Sequence, residues 1–419
     1  MTSVRIAAGL LFWVAQASLA AEAWPPIRQI AYEGNEITRP ETMQRELVVA
    51  IGDPADPEKL ERSRQAIQDL GLFREVKLRQ EALEDGVRVV FTVREKWYVI
   101  PIPRLEANSD GDTGYGLQLR WNNVWGLNHR WALLFVQRDY KRQDRDDSTN
   151  FFTSYDVPFV GNSRNSLSVS GSYIDEDSVS PEDVEFRERR QSLGLSMSHA
   201  FGRGPASQGW KIGAGLRWQN QEADGFMAPA AYGTATGPVL SLSYNGLHDH
   251  LYSQTGESFS TLLAGAQDGI ASDYSFWSHY SRYRQERRVG QREHQTLRFT
   301  AELGGYHGGP ASRPADAFEY GGSSQLRGYE RERIEGDLAY YASADFLRPV
   351  GWNWLRLLTS LELGSALDDI SHADGRLLYA SLGLGVSVKL TWFVNVEFEA
   401  GIAYPLIDGD GLRVFVLAI

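Results

Sequence analysis

The chain has 419 residues, a formal charge of −12, no cysteine and a mean hydropathy of −0.36. This length leaves room for more than one domain. The absence of cysteine excludes disulfides, thiolate metal sites and cysteine nucleophiles, and the acidic balance argues against nucleic acid as a partner. Beyond the first residues no run approaches the ~18 apolar residues of a spanning helix, yet the chain is rich in Gly (41), Trp (12), Tyr (19) and Phe (18), a profile that suits a membrane β-barrel with lipid-facing residues at alternate positions.

Residues 1–23 read as a signal peptide. Arg5 supplies the positive end and Ile6 to Ala17 an apolar core too short for a stable span. Ser18-Leu19-Ala20 offers a small-x-small cleavage pattern, with Ala21-Glu22-Ala23 as a second candidate. Residues 24–97 then form a small α/β module. Ile27, Ile30 and Tyr32 mark a short strand ending at Gly34-Asn35, and Thr38 before Pro40 and Glu41 predicts an N-cap. Leu47, Val48 and Ile51 continue a helical face as far as Gly52. A second helix starts at Pro57, carries Leu60, Arg64, Ile67 and Leu70, and stops at Gly71. Leu72-Phe73 lead into a strand with Val76 and Leu78. Asp85-Gly86 is a tight turn, and Val87 to Val93 is the last strand. The predicted order is β-α-α-β-β.

From about Ile100 the apolar pattern has period two. In Val394 to Tyr404, Val394, Val396, Phe398, Ala400, Ile402 and Tyr404 share one face, and Asn395, Glu397, Glu399 and Gly401 the other. In Leu378 to Val388 the second face is Gly- and Ser-rich. The candidate strands are Ile100–Asn108, Tyr115–Asn122, Arg130–Tyr140, Asn150–Pro158, Asn165–Asp175, Glu185–Phe201, Gly209–Gln221, Pro238–His248, Gly256–Gln267, Tyr274–Arg287, Gln295–His307, Leu338–Arg348, Leu355–Ala366, Arg376–Val388, Phe393–Leu406 and Leu412–Ile419. The count of about 16 is even, as single-chain bacterial barrels have it. Trp97, Trp121, Trp125, Trp131, Trp277, Trp352, Trp354 and Trp392 fall near strand ends, as interfacial girdles do. Asp144 to Asp147 and Asp175 to Asp183 read as solvated loops.

Between two of these strands lies a stretch too rich in glycine and polar groups to be one: Phe318-Glu319-Tyr320-Gly321-Gly322-Ser323-Ser324-Gln325-Leu326-Arg327-Gly328-Tyr329. The Gly321-Gly322 pair followed by Gln325-Leu326-Arg327-Gly328-Tyr329 resembles the lumen-plugging loop of outer-membrane assembly and two-partner-secretion transporters, the BamA/TamA superfamily (bacterial surface antigen family). Residues 24–97, with their Gly71-Leu72-Phe73-Arg74-Glu75-Val76 run, resemble a single POTRA domain, the periplasmic module of that superfamily. The resemblance implies a transmembrane β-barrel over residues 98–419, with loop 308–337 folded into its lumen. It also implies that the loop arginine meets a carboxylate on the inner wall, because a guanidinium buried without one is costly. Glu362, set opposite Leu361 and Leu363 by alternation, is the first candidate. Asp345, in Ser343-Ala344-Asp345-Phe346, is the second. The lock set is thus Gly321, Gly322, Arg327, Gly328, Tyr329, Asp345 and Glu362. Glu362 stands where the family usually has Asp.

Two further features follow. Pro101 and Pro103, flanking Ile102 on the first barrel strand, lack the N–H a ladder needs. The last strand, with Leu412, Val414 and Val416, is short and must pair with the first in a closed barrel. In the superfamily this join is the lateral gate. The resemblance also makes Val76, Lys77 and Leu78 the open sheet edge to which a client strand adds. Other chemistry is thin. His248 and His250 share a strand face, but two imidazoles do not make a metal site, so no metal or cofactor is expected. The Arg/Glu alternation of Phe186 to Gln191 reads as an exposed or lumen strand. No hydrolase elbow, His-Glu-x-x-His or phosphate loop occurs, and no enzymatic activity is expected. The function implied is insertion, assembly or translocation of proteins at the bacterial outer membrane, with the POTRA domain in the periplasm. The implied partners are outer-membrane lipids, unfolded client strands and a periplasmic lipoprotein or second copy of the chain. A pore-forming or lipid-handling barrel without a client, and a membrane enzyme with scattered catalytic groups, stay open as alternatives.

Overall fold

The computed structural model describes residues 24–107, 113–139, 147–179, 185–202, 204–225, 233–309, 318–330, 333–367, 378–409 and 411–418. The expected signal peptide lies outside the described residues. The α/β module runs β1 (Ile27–Glu33), α1 (Pro40–Gln44), α2 (Pro57–Asp69), β2 (Phe73–Leu83) and β3 (Gly86–Glu95). β3 is central, parallel to β1 and antiparallel to β2, so β1 and β2 are the two edges. Ile27, Met43, Leu60, Ile67, Phe73, Val89 and Phe91 form its buried core. α2 begins where its sequence dictates. Asp56 accepts the Glu58 N–H at 2.9 Å, and Pro57 fills a position that needs no donor.

The first helix departs from expectation. Arg39, not Thr38, is its N-cap, and it ends at Gln44. The Thr38 hydroxyl instead meets Tyr98 Oη at 3.0 Å and accepts from Asn123 Nδ2 at 2.8 Å. The stretch carrying Leu47, Val48 and Ile51 is not helical. Its β-branched residues disfavour helix, and side chains take its amides: Val48 N–H donates to Ser63 Oγ at 3.0 Å and Ala50 N–H to Asp53 Oδ2 at 2.8 Å.

The barrel strands are β4 (Val99–Ala107), β5 (Thr113–Val124), β6 (His129–Asp139), β7 (Ser148–Val157), β8 (Asn165–Val179), β9 (Glu185–Ala200), β10 (Gly209–Asp224), β11 (Gly233–Asn245), β12 (His248–Asp249), β13 (Gln254–Ala266), β14 (Phe276–Arg288), β15 (Thr296–Gly308), β18 (Leu338–Val350), β19 (Trp352–Leu367), β20 (Tyr379–Lys389), β21 (Glu397–Pro405) and β22 (Arg413–Ala418). They close into one barrel, with β22 beside β4. The two-residue β12 only extends the turn between β11 and β13, which pair directly, so sixteen staves remain of the seventeen segments. Alternation sorts the wall. On β19, Leu357, Leu361 and Leu363 are exposed outside, whereas Ser360 and Glu362 are fully buried inside. Among the described residues no helix is long and apolar enough to cross a membrane.

Three expectations about the wall change. Val394 and Val396 are buried in the turn before β21, where Asn395 has φ +50°, and do not continue its outer face. Asp175 lies in β8, not in a loop; it and Asp177 are paired with Arg187 of β9 at 2.5 and 3.1 Å. The tryptophan belt is lopsided. Trp97, Trp125, Trp352, Trp354 and Trp392 are exposed at the end bearing the module, and Trp277 at the other.

The module sits on one mouth of the barrel and touches turn after turn. Arg39 N–H and Thr42 Oγ1 donate to Gly126 O, at 3.0 and 2.8 Å. Arg45 donates to Gly161 O at 2.7 Å, and Glu46 accepts from Ser207 N and Oγ at 3.1 and 2.8 Å. Asp69 takes Gln208 Nε2, His248 Nδ1 and Asp249 N at 2.6 to 2.8 Å. Trp97 N–H donates to Trp392 O at 2.7 Å.

Candidate functional site

The connection from β15 to β18 leaves the barrel at the end away from the module and folds back into it. Its described part holds a short hairpin, β16 (Phe318–Tyr320) paired with β17 (Ile334–Gly336), and a tight tip between them. Gly321 and Gly322 have φ of +118° and +79°, which lets the chain reverse within a few residues. Gly322 N–H donates to Tyr329 O, and Tyr329 N–H to Leu326 O, at 3.0 and 2.9 Å. Leu326 and Tyr329 are buried in a cluster with Tyr320, Ile334, Tyr341 and Tyr379. The Tyr329 hydroxyl lies within hydrogen-bond distance of two carbonyls, Ala380 O at 2.9 Å and Ile407 O, beyond the end of β21, and shares its one proton between them. Gly328 passes so close to the wall that a Cβ there would lie 2.7 Å from Pro405 N and 2.8 Å from Ser381 Cβ.

The tip delivers Arg327, 3 % exposed, to a set of carboxylates. Its Nε donates to Glu362 Oε1 at 3.0 Å and its backbone N–H to Glu362 Oε2 at 2.8 Å. One terminal nitrogen reaches Glu399 Oε2 at 3.3 Å; the other reaches Asp345 Oδ1 at 3.3 Å and Ser360 Oγ at 2.9 Å. The guanidinium also lies 4.9 Å from the centre of the Phe415 ring on β22. The acceptors are held in turn. Tyr341 Oη and Ser381 Oγ each donate to Glu362 at 2.8 Å, and Arg298 bridges Asp345 and Glu399 at 2.9 and 2.7 Å. Two cations thus face three carboxylates, with hydroxyls on the remaining lone pairs. A buried ionic network persists only when its members are satisfied in this way.

The structure therefore brings Arg327, Glu362 and Asp345 together, with Glu362 making the closest contacts. Sequence reasoning passed over Glu399, Arg298, Ser360, Tyr341, Ser381 and Phe415. For Glu399 the signal was present, since period two sets it opposite Phe398 and Ile402. Arg298, between Leu297 and Phe299, could have been found the same way.

At the closure of the sheet, Pro101 and Pro103 are exposed on the outer face of β4, and Ile100 and Ile102 point inward. Asn122 N–H donates to Tyr98 O at 2.8 Å, and β4 and β5 run on from there in unbroken register. Hydrogen-bonded pairs alternate along an antiparallel ladder. Positions 98, 100, 102 and 104 therefore bond to β5, and both proline nitrogens point away from it, to the side on which β22 closes the barrel, and offer no N–H there. On β22, Val414 and Val416 face outward, 77 % and 65 % exposed, and Leu412 precedes the strand. In the module, Val76, Lys77 and Leu78 pair with Val93, Thr92 and Phe91 and leave the other side of β2 without a strand; Arg64 donates to Val76 O at 3.2 Å. His248 and His250 part company, His248 going to Asp69 and His250 to Thr255 Oγ1 at 2.8 Å. No cluster of metal-ligating residues occurs among the described residues.

A POTRA domain joined to a sixteen-stave barrel with a plugging loop defines an outer-membrane protein of the assembly and secretion superfamily. Residues 25–96 match the POTRA family (surface antigen variable number repeat), and residues 105–388 match the haemolysin secretion/activation protein family ShlB/FhaC/HecB. The second match spans more than half of the chain, and the chain belongs to that family. Among solved structures it is similar to CdiB from Escherichia coli (16 % identity, 95 % of this chain and 77 % of that one, TM-score 0.63). It is also similar to CdiB from Acinetobacter baumannii (14 %, 94 % and 74 %, 0.59) and to BamA from Haemophilus ducreyi lacking POTRA domains 1–3 (14 %, 94 % and 84 %, 0.53). At these identities the likeness is one of fold. A comparison with curated protein sequences finds no match. The protein is an outer-membrane β-barrel with a periplasmic POTRA domain that acts in translocation or assembly of proteins.

Proposed function

We propose that this chain is the exporter of a separate passenger polypeptide, as its family's description as secretion proteins suggests, and that loop 308–337 is the gate of its lumen. The observation that carries this is the burial of Arg327 among Glu362, Asp345 and Glu399 at the tip of a loop reaching in from the far mouth. A permanent seal needs only apolar packing. An ionic contact held by hydroxyls has two ends that can separate and be rehydrated. The passenger docks as an added strand on the open edge of β2 around Val76, Lys77 and Leu78, main chain to main chain. The β22–β4 closure, which lacks two donors at Pro101 and Pro103, yields sideways while the loop withdraws.

The test is a charge exchange. Arg327→Glu and Glu362→Arg should each abolish export of the passenger, and the double variant should regain a measurable part of it. No recovery in a correctly folded double variant would show the pair to be uncoupled from export.

A further inference from the structure

The lumen has two unlike walls. The arginines on the side of the lock are matched: Arg298 with Asp345 and Glu399, Arg284 with Glu286, Arg356 with Glu397 and Arg282 with Glu302. Across the closure, on the first two strands, the pattern breaks. Arg104 of β4 and Arg120 of β5 both face the lumen, since the alternate positions Val99, Pro101 and Pro103, and Tyr115 and Leu117, are exposed outside. The register sets Arg104 opposite Gly116 and Arg120 opposite Ile100, four positions apart on the same face of two paired strands. Neither has a carboxylate partner among the described residues. Arg104 donates to the Gln118 side-chain oxygen at 2.5 Å, and its Nε is buried without a partner. Among the described residues Arg120 reaches only the Asn395 carbonyl, at 3.4 Å, near the limit of a hydrogen bond. A cavity of about 420 Å³ runs from Arg120 to Arg327; Arg120, Arg282, Arg284, Arg298, Arg327 and Lys389 line it against four carboxylates, Glu302, Asp345, Glu397 and Glu399, so cations are in excess on its wall.

In a chain of net charge −12, two arginines on one lumen face with no carboxylate partner among the described residues are costly unless something anionic visits them. We infer that Arg104 and Arg120 form an anion-binding pair that receives the carboxylates of an extended polypeptide inside the barrel. A lipid headgroup fits less well, because the pair opens to the lumen and the bilayer side of β4 carries valine and prolines. This inference rests on the transport reading given above and adds a charge preference to it: acidic stretches of the passenger are held on the wall beside the β22–β4 closure.

Arginine-selective labelling with phenylglyoxal, read by mass spectrometry on the full chain in zwitterionic vesicles, tests it. Arg104 and Arg120 should react about tenfold or more faster than Arg298 and Arg327, the factor that one charge-assisted hydrogen bond supplies. A poly-glutamate peptide should protect them at low salt, and poly-glutamine should not. Three results overturn the inference: failure of the two arginines to react, reaction that poly-glutamate does not slow, or protection by anionic vesicles in place of peptide. A passenger-export assay run in parallel separates the two readings. Protection without export removes the transport reading and leaves the pair; export without protection removes the pair alone.

Discussion

Truncating Arg327 to alanine is the sharpest perturbation of the proposed gate. It deletes four side-chain hydrogen bonds, to Glu362, Glu399, Asp345 and Ser360, and the cation over Phe415. The bond from the backbone N–H of residue 327 to Glu362 survives, and Arg298 is left to face three carboxylates. Removing one partner of a buried ionic contact costs about 3–5 kcal/mol. At about 1.4 kcal/mol per decade, the ratio of loop-in to loop-out states falls by about two to three and a half orders of magnitude. Planar-bilayer recordings of R327A should show long open events that are rare in the parent, and cells carrying it should admit a large antibiotic that an intact outer membrane excludes. R327K, which keeps the charge but not the planar fork, should lie between the two. An R327A barrel that is folded, as judged by heat-modifiable gel mobility, and as electrically quiet as the parent would refute the argument.

G328A should leak in the same way with no change of charge, because the new Cβ would lie 2.7 Å from Pro405 N; conductance of the variant checks this. Replacing Pro101 and Pro103 by threonine offers two N–H groups to β22. The barrel should then unfold at a higher temperature on heat-modifiability gels, and passenger export should slow. Docking of the POTRA domain should weaken as pH rises. Asp69 raises the His248 pKa, so that contribution is complete below the free imidazole's value of 6.5 and is lost as pH climbs through the docked value. Burial raises Glu46 from 4.5 to about 6, so its docked form loses about 2 kcal/mol between those pH values. Lys96, pulled down to about 8 by burial despite Asp249, titrates above this window. Crosslinking of module to mouth between pH 4 and 8 should show both steps; H248Q removes the upper and E46Q the lower.

Much of this was legible in the chain because the signals were local. Pro57 and Gly71 bracket α2, the period-two runs mark the staves, and the Gly321 to Tyr329 stretch stands out from both of its flanks. Glu362 could be placed because two leucines fix its face. What escaped depended on the assembled cylinder. Glu399 and Arg298 enter the lock only because β21 and β15 curve round to face the loop tip across the lumen. The run from Leu47 to Ile51 has helical spacing, but Ser63 of α2 takes the Val48 amide and Asp53 the Ala50 amide. Val394 and Val396 alternate as a strand would, yet the module packs Val394 into its own core. The contacts of Asp69 and Glu46 with barrel turns more than 130 positions away had no local sign.

The Tyr329 hydroxyl, fastened to Ile407, gives the loop a second hold, on the stretch that leads into β22. Arg413, the first residue of that strand, is paired with Glu330 of the loop, and Arg333 donates to Asp408 O. In the proposed withdrawal the loop would tug the terminal stave toward the cell exterior, like a ripcord sewn into the last panel. Clearing the bore and loosening the side wall would then be one mechanical event, and a passenger that displaced the loop would unfasten its own exit.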